Sequence, residues 1–469
     1  MLIFTTVRNY FTILLILCLA LMIGCKKESF TNSSESKLII GNDSLQFDTV
    51  FTTAGSVTQY FLIKNENKQK INISNVQLMG GAASAFKMNV DGSEGTQFNN
   101  IEIAGNDSMY VFVRVNINPN ANNQPFVIRD SIKLQWNGNT SYKQLEAWGQ
   151  NAHYIRSTIL QGNINWTKDK PYVILGGMIV DTNAVLTIQQ GTRIHLNADA
   201  PFIVDGTLII NGTKSDSVVF RSNRLDDPYR DYPGAWPGIY FRGSSINNQL
   251  TYTYVTNAYQ GIVVEKVASN VNPKLTLNNC VLDNIYDIGL LAVNSSVVAN
   301  NCLFSNCGTN IALIYGGNYQ FNHCTVVSVS NSFVQHKNPA VSATNFVKQN
   351  NTVYTSPLTA SFTNSIVWGD EGFVDNEIVV QKEGAAAVNV TLNNVLFRAK
   401  VDPLNTSFNN VLRNANPQFD SVDVIRRIYD FRLKAGSPAI NKGMITPLAT
   451  DFNGLSRVGL PDLGCYEKQ

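Results

Sequence analysis

Three segments near the middle of the chain, NNCVLDN, NNCLFSN and NHCTVVS, place Cys280, Cys302 and Cys324 at intervals of 22 residues, each after Asn or His and before apolar residues. That interval constrains the fold more than any other feature. One turn of a parallel β-helix uses roughly this many residues, so each residue stacks on its equivalent one coil earlier, ~4.8 Å away at the strand spacing. The cysteines then form one column, and Asn279, Asn301 and His323 form the next, at a bend. Asn suits a bend because it tolerates left-handed backbone, and stacked amides can hydrogen-bond along the axis. FTNSIVW (Asn364, Ser365) and TLNNVLF (Asn393, Asn394) continue the column after two insertions, and Leu186 and Leu208 are also 22 residues apart.

Upstream, from about residue 39 to 152, the pattern is short strands of period two. Val111, Val113, Val115 and Ile117 share one face, as do Ile132, Leu134 and Trp136. Turn signals such as NPNANNQP separate them. This predicts an antiparallel β-sandwich of the immunoglobulin-like kind. The fold class expected for the whole chain is therefore all-β: a sandwich followed by a right-handed parallel β-helix over 153–428, with 429–469 shielding the last coil.

The first residues carry Arg8, an apolar run from Phe11 to Ile23 and then Gly24-Cys25. That run is shorter than the ~20 residues of a spanning helix and fits a secretory signal. MIGC resembles the bacterial lipobox, with Met22 where Leu is most usual. The resemblance implies cleavage after residue 24 and a diacylglycerol thioether on Cys25, leaving 25–38 as lipidated cysteine and polar tether. Acyl chains contribute about 0.8 kcal/mol per buried methylene, so two or three make a firm anchor. The expected location is the outer membrane of an exported protein, facing the cell exterior. With a formal charge of +2 and scattered basic residues, no nucleic-acid partner is expected.

The region 153–428 resembles the right-handed parallel β-helix superfamily to which pectate lyases belong. GAWPGIYF resembles a Gly-x-Trp-x-Gly-Ile coil of that group, and DFRLKAGSPAINKG with TDFNGLSRVGLPDLGCYE resembles the C-terminal segment of secreted β-helix proteins, Cys465 standing where Ala is usual. FDTVFTTAGSVTQYF, NDSMYVFV and LEAWGQNAH resemble an N-terminal module of bacterial surface lipoproteins bearing a β-helix. Lyases of the superfamily need calcium-binding carboxylates and a basic residue on neighbouring coils. Between Leu250 and Ser330 the acidic residues are Glu265, Asp283 and Asp287, and one coil beyond the two aspartates stand Ser305 and Thr309. The GHG and RIK motifs of related glycoside hydrolases are absent.

No catalytic residue, metal site or cofactor is therefore assigned. Five cysteines remain after processing, an odd number, and the column thiols are expected to pack inward as small hydrophobes, with Cys307 at a turn as the one reactive candidate. His323 is a ladder histidine, and His153, His195 and His336 have no local partners. The densest ligand-binding candidate is the loop SNRLDDPYRDYPGAW, which gathers Asp226, Asp227, Tyr229, Arg230, Asp231 and Tyr232. Aromatic faces stack on sugar rings, and Asp and Arg bond hydroxyls, whereas Trp236 belongs to the scaffold. The reading is a non-catalytic surface protein binding an extended polysaccharide. A lyase or glycoside hydrolase on the same scaffold, and an adhesin or spacer, are the alternatives.

Overall fold

The computed structural model describes residues 29–52, 55–120, 124–370 and 372–468. Met1–Gly24 and Cys25 lie outside the described residues, so the signal and lipidation expectations concern a part of the chain with no structural account. None of the described helices is long and apolar enough to cross a membrane.

Two compact units divide the chain at about residue 150. The first is a sandwich of two five-stranded sheets. Its pairings are antiparallel except one, where Asn139–Gln150 runs parallel to Ser44–Phe51. Alternation on each strand turns Val111, Val113, Val115, Ile132 and Leu134 into one core between the sheets. Residues 29–38 correct the free-tether expectation. Asn137 and Asn139 side chains donate to the Thr31 and Ser34 carbonyls, both at 2.9 Å, and Leu38 is buried, so this stretch is docked on the sandwich.

The second unit is a parallel β-helix of 26 strands among the described residues. Most coils contribute three short strands, for example Ile262–Glu265, Leu275–Asn278 and Val281–Asp283, which stack into three faces. The 22-residue step is the coil register: Leu186 pairs with Leu208 and Val281 with Leu303. Cys280, Cys302 and Cys324 are fully buried in the interior column.

The bend after the second face holds one left-handed residue per coil: Asn279, Asn301, His323, Asn364 and Asn394 all have φ between 50° and 54°. Their amides do not form the main axial ladder. That ladder is one residue earlier, where Asn322 donates to Asn300 and Asn300 to Asn278, each at 2.9 Å. The left-handed column points outward and grips the C-terminal segment instead. Asn394 donates to the Lys442 carbonyl (2.8 Å), Asn364 to Met444 (2.7 Å), Asn301 to Thr450 (2.9 Å) and Asn279 to Asp451 (3.3 Å). His323 Nε2 lies 3.1 Å from the Thr446 hydroxyl and accepts from the Asn364 amide at 2.9 Å. Residues 442–452 therefore run back along a flank of the coils, while Leu433, Ala439, Ile440 and Leu463 share an apolar cluster with Leu412 of the last coil.

Candidate functional site

Along the third face, strand alternation buries Val255, Leu282, Phe304, Val326 and Val367 and turns Thr256, Asp283, Ser305, Val327 and Trp368 outward in one row, each in register with the next. A hairpin of Phe419–Asp423 and Ile428–Leu433 lies over this face. Phe431 packs on Val281, Leu303 and Val327, and Leu433 on Ile366 and Leu396.

Between hairpin, row and loop 223–236 opens a groove of about 400 Å³, lined by Arg221, Asp231, Asp283, Asn306, Asn331, Phe333, Arg427 and Tyr429 among others. Three left-handed asparagines at successive bends build its wall. Asn257 donates to the Arg230 carbonyl and Asn284 to the Asp231 carbonyl, both at 2.8 Å, while Asn306 donates to the Asp283 carboxylate at 3.0 Å. The loop is thereby fixed to the coils rather than hanging from them.

Two carboxyl groups sit in this groove under different conditions. Asp231 accepts from Arg427 at 2.6 Å, and that guanidinium also covers the Phe333 ring at 5.1 Å. Asp283 accepts from the Ser305 hydroxyl at 2.6 Å, yet burial pushes its carboxyl above the usual carboxylate range. Burial likewise lowers the affinity of the Arg221 guanidinium for its proton. Arg221 Nε and Asn306 Oδ1 have no hydrogen-bond partner in the protein.

The six loop residues divide. Asp231 lines the groove, and Tyr232 reaches it through the Phe333 ring, with centroids 5.1 Å apart. The other four are held in pairs within the loop. Asp226 accepts both arms of Arg224, whose guanidinium lies 4.1 Å from the Tyr229 centroid; Tyr229 packs edge-on to Tyr232; and Asp227 pairs with Arg230 at 3.0 Å. Trp236 is buried and donates to the Thr256 carbonyl at 2.9 Å. Sequence reasoning missed Arg221, Phe333, Arg427 and Tyr429. The coil register that stacks Asp283 on Ser305 was available to it; the contact of Arg427 with Asp231, 196 positions away, carries no sequence signal.

The column thiols pack inward as expected, but the expectations for Cys307 and for the partners of His153, His195 and His336 need correction. Cys307 is buried, and desolvation raises its thiol as it raises those of Cys280 and Cys302, so it is not a reactive thiol. Cys465 is fully buried and pushed up to about 12. The histidines do have partners. His153 Nε2 is 3.0 Å from Asp169, and His195 Nδ1 is 3.3 Å from the Ser222 carbonyl. Buried His336 bridges Asp370 (2.7 Å) and buried Glu377 (3.0 Å), with Arg398 3.4 Å beyond Glu377. Burial alone would lower its pKa, but the bonds to Asp370 and Glu377 raise it to about 9. His323 is driven the other way, to about 3, first by burial and then by Arg457. Among the described residues no group of three His, Cys, Asp or Glu side chains is arranged to hold a metal ion.

Residues 157–265 match the family model of the pectate-lyase-like β-helix domain. The chain matches no curated protein. Among solved structures it is similar to one reported under the details of glycolipid glycan hydrolysis by a family 123 glycoside hydrolase from Clostridium perfringens. That similarity has 11% identity and a TM-score of 0.18 and covers 25% of this chain and 26% of that one. Another is the ASH / PapD-like domain of human CEP192, with 12% identity and a TM-score of 0.18, covering 28% of this chain and 95% of that domain. Similarities this weak carry no functional argument. The matched segment describes the early coils of a parallel β-helix that continues to Leu412–Arg413.

Proposed function

We propose that the chain is an exported, lipid-anchored protein of the cell envelope that binds an extended polysaccharide along the third face of its β-helix without transforming it. The observation that carries this reading is the groove's mixture of groups. Guanidinium, carboxyl and amide side chains stand beside the rings of Phe333 and Tyr429. A sugar hydroxyl both donates and accepts, and the apolar face of a sugar ring stacks on an aromatic, so this mixture suits a saccharide. Both groove carboxyls are already engaged by protein donors, which favours binding over chemistry. The signal-like N-terminus with Cys25 supports the anchor.

The test is binding of the soluble chain from Lys26 onward to a panel of plant, host and microbial polysaccharides, with ultraviolet-absorbing unsaturated product followed in parallel. Binding without product, weakened by Arg427→Ala and by Asp231→Asn, is the expected result. No binding and no product would transfer the assignment to an adhesive or architectural role.

One observation favours a second reading, a glycoside hydrolase. Asp283 holds its proton more firmly than an ordinary carboxyl while Asp231 stands as a paired carboxylate in the same groove. A carboxyl kept protonated by burial, in the same groove as a second carboxyl, is a pairing that glycoside hydrolysis uses. Under that reading sugar release is measurable, and Asp283→Asn abolishes it while leaving binding in place.

A further inference from the structure

The sandwich takes hold of the chain close to Cys25. The Lys70 N–H donates to the Ser29 carbonyl at 3.1 Å, the Gln69 side-chain amide to the Ser29 hydroxyl at 2.8 Å, and the Thr31 N–H to the Lys70 carbonyl at 2.9 Å. Thr31 is buried, and Trp136 Nε1 donates to the Ser36 carbonyl at 3.1 Å, so the attachment runs from Ser29 onward. Ser29 is four residues after Cys25. An extended chain covers at most about 3.6 Å per residue, which holds Ser29 within ~14 Å of a lipid on Cys25, where a free stretch to Leu38 would allow ~47 Å. That difference decides whether the sandwich stands off a membrane or meets it.

The strand register identifies the end of the sandwich that is held there. Ile71 pairs with Ile103 and Asn65 with Asp107, so turns 66–70 and 104–106 lie together, the Asn106 N–H donating to the Asn67 carbonyl at 3.0 Å. The Asn67 amide donates to the Lys37 carbonyl at 3.0 Å, and Asn137 brings in the turn at 137–138 through its bond to Thr31. Leu78, at the other end of Ile71–Leu78, leads to the turn 79–83, roughly 23 Å away along the strand. At the near end Phe30 is 43% exposed. Lys64 pairs with Glu66 at 2.7 Å and Lys70 with Glu102 at 3.7 Å, whereas the exposed Lys37, Lys68, Glu35 and Asp107 have no ion pair among the described residues. Two cations against two anions leave no net attraction for a charged surface, so what favours lipid here is reach and an exposed ring.

We infer that this end of the sandwich rests on the lipid headgroups, with the Phe30 ring in the headgroup layer and the Lys37 and Lys68 ammoniums on lipid phosphates. The inference rests on the lipid-anchor reading and deepens it, because it gives the anchored protein a second contact, made by side chains, with the same membrane. One ring and two ammoniums bind lipid feebly from solution. Held within ~14 Å by the anchor, they meet it at high effective concentration. Contact made this way is insensitive to the fraction of anionic lipid, since Glu35 and Asp107 offset the lysines.

The experiment uses the lipidated protein in vesicles of phosphatidylethanolamine with phosphatidylglycerol, and in parallel of phosphatidylcholine alone. Lys68→Cys and, at the far turn, Ala82→Cys each take a nitroxide, since the native thiols of the described residues are all buried. Collision with a water-soluble nickel chelate is the readout. Position 68 is expected to lose severalfold of its chelate exposure in both kinds of vesicle, relative to the Cys25→Ser form in solution, while position 82 loses none. Phe30→Ser returns position 68 toward its exposure in solution without releasing the protein from the vesicles. If positions 68 and 82 are equally exposed, or equally shielded, while the protein stays on the vesicles, the contact is wrong and the anchor survives. If the chain incorporates no palmitate and does not sediment with vesicles, the anchor reading falls and takes this inference with it.

Discussion

His336 is the side chain with the most consequence for stability as a function of pH. Its folded pKa of about 9 lies above the value of 6.5 for an unperturbed imidazole, so the folded state binds the proton more tightly than the unfolded one. Its contribution is complete below about pH 6.5 and is lost as the pH rises through 9. The groups facing it are Asp370, Glu377 and, behind Glu377, Arg398. We expect the melting temperature to fall between neutral pH and pH 10 with a component, on the order of 2 kcal/mol, that His336→Gln removes; thermal unfolding across that range measures it. Glu377→Gln leaves the buried His336 imidazolium with Asp370 as its one carboxylate and deprives the Arg398 guanidinium of its ion-pair partner, and should cost about 3 kcal/mol in denaturant unfolding. The cysteines give a separate check. Cys280, Cys302, Cys307, Cys324 and Cys465 are all buried, so thiol reagents should label the chain from Lys26 onward only at the rate at which it opens; rapid labelling of one thiol in the folded protein would contradict the burial of Cys307. At this scale the sequence was partly legible. A cysteine returning every 22 residues announces its own column, because identical environments repeat. His336 could not announce Asp370 and Glu377, which lie 34 and 41 residues further on across two insertions, where no period carries information.

At the scale of elements, the coils and the C-terminal segment differ in how they are specified. Coils are set by local alternation plus a fixed step, and both are visible in the sequence, as the pairing of Leu186 with Leu208 illustrates. The segment is set by contacts far apart in sequence. Asn364 exchanges two hydrogen bonds with Met444, 80 residues on, at 2.7 and 2.8 Å, and Asn301 reaches Thr450 across 149. The Asn column was therefore legible as a bend, since a left-handed residue per coil accounts for it, but its outward grip was not. These two roles can be separated. Asn364→Gly retains the backbone conformation and loses the bonds, whereas Asn364→Ala loses both. We expect Asn364→Ala to cost about 2 kcal/mol, with Asn364→Gly milder by about 1 kcal/mol, measured as urea midpoints at unchanged slope. Equal losses would place the whole effect in the hydrogen bonds. The groove has the same division: loop 223–236 stands out by composition, but which of its residues line the groove depends on Arg427 and Phe333, which the coil period does not locate.

For the molecule as a whole, the sandwich and the β-helix each have an apolar core of their own. Residues 151–469 should accordingly fold alone, with a cooperative transition and the same polysaccharide binding as the longer chain; a fragment that stays unfolded would show that its stability depends on the sandwich. Cys25→Ser should abolish incorporation of radiolabelled palmitate and release the protein from the membrane fraction. Unchanged membrane association would remove the lipid anchor from the proposal. The grip of the Asn column on 442–452 also bears on how such a chain is made. The residues that cover this flank lie C-terminal to every coil they cover, so synthesis reaches them after those coils. Until they arrive, every finished coil carries a row of amides facing water, and a chain cut short anywhere before Lys442 keeps that row bare. Arrival of residues 442–452 is thus recorded on the surface of the solenoid, where a protease or chaperone can distinguish a bare flank from a covered one.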